Sequence, residues 1–162
     1  MDVNTFYALF SATCFTLVGL WWNVVQSHPE WMREPGLRRI TGGIYLSFLL
    51  PALMGLFAQV GGAEQPEIWR SAFVVLALVG CLSTIRLLSR THGDRLVVGQ
   101  QACATLLYAL VAVVGAFPGP AGQIGLHPFQ AEALLLIVLI VLGHALVWHF
   151  MAGEGRRPEE RA

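Results

Sequence analysis

A run of residues without a single charge, Thr5 to Gln26 (TFYALFSATCFTLVGLWWNVVQ), limits what this chain can become. About 20 mostly apolar residues are what an α-helix needs to cross the hydrocarbon core of a bilayer. At about 100° per residue, Thr5, Ala8, Ala12, Thr16, Gly19, Asn23 and Gln26 fall within roughly 80° of arc. Every residue in that arc is small or polar, while Phe6, Phe10, Phe15, Leu17, Leu20, Trp21 and Val24 cover the rest. A helix with a bulky apolar circumference and one narrow small-residue stripe is soluble in lipid and can still approach another helix closely. Ala8, Ala12, Thr16 and Gly19 are therefore expected to form a helix-packing seam. Asp2 stands where a secretory signal would carry a basic residue, so the run is expected to remain as a membrane helix.

Four more such runs follow. The expected spans are 5–26, 38–60, 68–89, 96–117 and 130–151, forming one transmembrane domain over 1–151 with a charged tail over 152–162. The connections between them carry Pro and Gly, as turns do. Only 12% of the chain is charged, about half the share of a soluble domain. The formal net charge is +0, which supports neither nucleic acid nor an acidic macromolecule as a partner. All basic residues are Arg, a bias that reflects GC-rich bacterial coding rather than physics. Cys14, Cys81 and Cys103 all lie inside apolar runs and are expected to be buried thiols, not a disulfide framework.

Arginine placement sets an orientation. Arg33, Arg38, Arg39, Arg86, Arg90, Arg95, Arg156, Arg157 and Arg161 fall on one side of the five spans, and Arg70 alone falls on the other. The positive-inside rule then places the N-terminus outside and the C-terminus in the cytoplasm, which requires an odd number of spans. Trp21, Trp22 and Trp148 lie at one set of helix ends and Trp69 at the other, as interfacial anchors would. The fold expected is an all-α bundle of five transmembrane helices in the cytoplasmic membrane of a bacterium.

Three-four spacing of small and polar residues recurs in the later spans. It appears as Thr41, Tyr45, Phe48, Ala52, Gly55 and Gln59, as Ala77, Gly80 and Thr84, and as Gln101, Thr105, Tyr108, Ala112 and Gly115. One compact bundle, with the first helix's seam turned inward, accommodates all of them. Pro51, in the middle of the second span, leaves the carbonyl of Ser47 without its amide donor and is expected to kink that helix.

Ionisable and amide side chains inside a span are functional candidates. Counted along the helices, His144, Asn23, Arg86, Gln100 and Gln101 all fall in the cytoplasmic third, from four helices. If their faces converge they form a polar vestibule with a histidine able to titrate near neutral pH. Glu132, near the other end of the fifth span, is expected at the interface. No CxxC, HExxH or GxSxG motif is present, so no metal, cofactor or catalytic template is assigned. Three functions stay open: a transport or channel-like component for a small cation or proton, a non-catalytic accessory or scaffold subunit, and an apolar-ligand-binding protein or membrane enzyme. Its expected partners are the lipid bilayer and either further copies of itself or a larger membrane complex.

Overall fold

The computed structural model describes residues 3–61, 65–89, 95–117 and 127–154. All secondary structure among them is helical: α1 (Val3–Ser27), α2 (Glu30–Arg33), α3 (Pro35–Gly61), α4 (Pro66–Leu88), α5 (Arg95–Ala116) and α6 (Pro128–Glu154). All but α2 are long and apolar enough to cross a membrane, so the chain is a polytopic membrane protein in architecture. Residues 1–2, 62–64, 90–94, 118–126 and 155–162 lie outside the described residues, and with them most of the expected connection over 118–129 and of the expected tail.

The helices start earlier than the apolar runs suggest. Pro35, Pro66 and Pro128 each open a helix. The first helical residue has no intrahelical acceptor for its amide, so proline loses nothing there and its fixed φ suits the turn. The segment expected to be a turn between the first two spans thus holds α2 and the start of α3. At the other end α6 runs on through Ala152 to Glu154. Helix α3 is continuous through Pro51, which is buried.

Helix α3 is the hub, packed against α1, α2, α4 and α6, while α4 and α5 form the most extensive pair. The seams on α3, α4 and α5 face inward: Thr41, Phe48, Ala52 and Gly55, then Ala77 and Gly80, then Gln101, Tyr108 and Gly115 are buried. The seam on α1 does not. Ala8, Ala12, Thr16 and Gly19 are exposed, and a Cβ on Gly19 would meet nothing within 4 Å. Helix α1 instead buries Tyr7, Ser11, Cys14, Trp21 and Val25. The reason lies on α3. Gly55 supplies the small residue at the crossing, its Cβ position 3.2 Å from Ser11 Cβ and 3.3 Å from the Tyr7 carbonyl oxygen. The Ser11 hydroxyl donates to the Ala52 carbonyl at 2.8 Å. With close approach provided by α3, α1 can present larger side chains.

Two hydrophobic clusters fill the bundle. One joins Tyr7, Met54, Trp69, Phe73, Tyr108, Val111, Leu136 and Leu139. The other, at the arginine-rich end, joins Trp21, Trp31, Leu37, Ile44, Phe48, Leu146 and Phe150. Trp21 and Trp69 are therefore core residues rather than interfacial anchors. The Trp21 indole donates to the Thr41 carbonyl at 3.1 Å, and Trp31 lies under the His28 ring at 4.3 Å. Trp22 and Trp148 are exposed, as anchors would be. Of the three free cysteines, Cys14 is buried, Cys81 is half-buried and Cys103, contrary to expectation, is exposed.

Candidate functional site

The second cluster contains no residue of α4 or α5. At the arginine-rich end, α1, α2, α3 and α6 fill the space among themselves and α4 and α5 fill it between each other. What is left between α3, α4, α5 and α6 is a cavity of about 690 Å³. Small residues hollow it: Gly42, Gly43 and Ser47 on α3, Ser83 on α4, Ala104 on α5 and Gly143 on α6. Gly143 could not be larger without displacement, since a Cβ there would stand 2.9 Å from Ser47 Oγ and 3.1 Å from Phe48 Cε1. Tyr108, Leu139, Leu142 and Leu146 make its inner walls apolar.

Three cations line the mouth: Arg38 and Arg39 near the start of α3, and Arg86 in the last turn of α4. No Asp or Glu is among the described residues that line the cavity. The N-terminal ends of α3 and α5 and the C-terminal ends of α4 and α6 meet at this end, so the helix dipoles largely offset and the guanidinium groups set the sign of the charge. Two amides complete the polar part. Gln101 is buried, and the Gln100 Nε2 donates to the Leu142 carbonyl at 2.6 Å, tying α5 to α6 across one side of the cavity. The Thr84 and Thr105 hydroxyls, 2.8 Å apart, tie α4 to α5 beside it.

Of the five residues expected to form a vestibule, Arg86, Gln100 and Gln101 come together here, and His144 and Asn23 do not. Gly143 faces the cavity, so His144, about 100° further round the helix, points elsewhere. It is exposed, its Nδ1 is 2.8 Å from the Ile140 carbonyl, and it lines a separate shallow groove with Phe6, Phe10 and Ile140. Asn23 is exposed on α1, a helix that contributes nothing to the cavity. Arg38 and Arg39 were legible only as orientation charges, and the hydroxyls of Ser47 and Ser83 gave no signal apart from their small size. Among the described residues no group of three or more His, Cys, Asp or Glu could hold a metal ion.

A second polar feature lies at the opposite end. Glu132, expected at the interface, is 0% exposed, and neither carboxyl oxygen has a hydrogen-bond partner. Nearby, the Arg70 guanidinium caps α5, Nε donating to the Gly115 carbonyl at 2.9 Å and Nη2 to the Ala116 carbonyl at 3.1 Å. These carbonyls stand at the C-terminal end of the helix, which is where a cation is favoured. Comparison of the chain with protein-family models, with curated proteins and with solved structures found no match to any of them.

Proposed function

We propose that this is a multi-pass protein of a bacterial cytoplasmic membrane that binds an anionic amphiphile, an apolar chain with a carboxylate or phosphate head, in the arginine-rimmed cavity. The observation that carries the reading is three guanidinium groups set over apolar walls, with no carboxylate among the described residues that line them. Guanidinium groups hold carboxylate and phosphate oxygens through paired, charge-assisted hydrogen bonds. Apolar walls with a few convergent polar groups, in a volume of several hundred Å³, suit a small-molecule chain. A path for a small cation is the weaker reading, because the ion would pass three like charges, and the histidine expected to serve it opens onto another face. The nine-to-one arginine bias supports a cytoplasmic mouth for the cavity, with the N-terminus outside.

The test is thermal melting of the purified protein in a neutral maltoside with oleate or with oleyl alcohol, which share a chain and differ in charge. Ligand at about 100 times its Kd stabilises the folded state by about 2.7 kcal/mol. Oleate should raise the melting temperature and the alcohol should not, and Arg39→Gln with Arg86→Gln should remove the difference. Equal shifts from both compounds would refute selection by charge.

The open stripe Ala8, Ala12, Thr16 and Gly19 favours a second, compatible reading, in which α1 packs against another copy or a partner in a larger membrane complex. Thr16 already donates to the Ala12 carbonyl at 2.9 Å, so the stripe presents a smooth surface that needs no polar partner. Disulfide crosslinking of a Gly19→Cys variant in membranes would detect a second copy there, and its failure would remove the α1-to-α1 contact.

A further inference from the structure

Glu132 is the one carboxyl group among the described residues that the bundle encloses completely. It stands in the second turn of α6, one turn from Leu136 and two from Leu139, which is shared with the wall of the cavity. The groups facing it can be named helix by helix. From α1 comes Tyr7, within electrostatic reach of the carboxyl, whose hydroxyl donates to the Phe129 carbonyl at 2.8 Å. From α4 comes Arg70, whose donors go to Gly115 and Ala116. From α5 comes Gly115 itself, with Glu132 Oε1 3.6 Å from the point a Cβ there would occupy. Further down α5 lies Tyr108, in the same cluster, and α3 contributes Met54 and Ala58, which carry no charge.

An ionised carboxylate with no donor and no counter-charge cannot be kept in such a place. A carboxylic acid can, since it carries no net charge to be compensated. We propose that Glu132 is a proton-binding site: its carboxyl group holds a proton inside the bundle, at the end opposite the arginine-rimmed cavity. Binding joins one proton from the solution to one carboxylate oxygen, and release returns it. One counter-charge is within the same neighbourhood for the released state. Arg70 and Glu132 both reach Gly115, the first through its carbonyl and the second through its Cα face. In this proposal, release is compensated by Arg70 turning from the Gly115 and Ala116 carbonyls toward the carboxylate. The site is independent of the amphiphile cavity and stands or falls separately from it.

Infrared spectroscopy of the purified protein, in a maltoside free of esters and acids, tests this. At neutral pH the wild type should show a protonated-carboxyl C=O stretch that moves down in D2O. Glu132→Gln, neutral and of the same shape, should lack that band, and Glu132→Asp should keep one. In Arg70→Gln the band should persist to higher pH than in the wild type, because the counter-charge for release is gone. Absence of any acid band from the wild type at neutral pH would overturn the proposal without recourse to a variant. Loss of a carboxylate band, rather than an acid band, in Glu132→Gln would overturn it as well.

Discussion

Gly80→Ala tests the packing that shapes the cavity. A Cβ on Gly80 would stand 2.5 Å from Tyr108 Cδ1, 2.6 Å from Cε1 and 2.7 Å from Cγ. Carbon atoms rest at about 3.5–4.0 Å from one another, so the overlap is about 1 Å across one edge of a rigid ring. Tyr108 is only 3% exposed, so α4 and α5 must separate or the ring must tilt toward the cavity it lines. Overpacking of this kind costs about 1–3 kcal/mol. Replacing glycine by alanine inside a helix returns about 0.8–1 kcal/mol, which leaves a net loss of about 0–2 kcal/mol. Gly19→Ala is the comparator. It has the same chemistry and meets nothing within 4 Å, so it should be neutral or slightly stabilising. The assay is equilibrium unfolding in mixed micelles, repeated in a Tyr108→Ala background. There the overlap is gone, and Gly80→Ala should become neutral or stabilising by up to about 1 kcal/mol. Equal effects of the two alanines, or an unchanged cost for Gly80→Ala without the Tyr108 ring, would refute the reasoning.

Trp21→Phe keeps most of the apolar bulk and removes the indole donor to the Thr41 carbonyl; unfolding should show a loss of about 1 kcal/mol, and no loss would place Trp21 outside the core. Compartment reporters fused to each terminus should report the C-terminus inside and the N-terminus outside; a cytoplasmic N-terminus would contradict the orientation and put the cavity mouth on the other side.

Much of the fold was legible because uncharged runs of this length have few alternatives. The helix starts were not, since Pro35, Pro66 and Pro128 read as loop punctuation although each occupies a first helical position, where proline is well tolerated. The seams on α3, α4 and α5 turn inward as expected for most of their residues, with Gln59 exposed, whereas the one on α1 does not. A stripe of small residues says that close approach is possible on that face; it does not say which of two crossing helices supplies the small residue, and here Gly55 of α3 does so. The candidate site was half legible for a similar reason. Depth along a helix follows from counting, but azimuth depends on neighbours. Arg86, Gln100 and Gln101 shared both depth and face. His144 shared the depth and pointed away, with Gly143 beside it taking the inward place. Glu132 lies close to a helix start and so was expected at the interface, yet its face is turned to Gly115 and Tyr7. Arg38 and Arg39 were counted only as topology signals, because nothing in one chain announces that the space beside them is hollow.

The most direct measurement is photolabelling of the purified protein with an oleate analogue carrying a diazirine on its chain, followed by peptide mapping. Binding in the cavity predicts labels on its inner walls, at Tyr108, Leu139 and Leu142, that excess oleate suppresses and oleyl alcohol does not. Labels spread over the outward faces of α1 and α6, indifferent to excess oleate, would contradict the account.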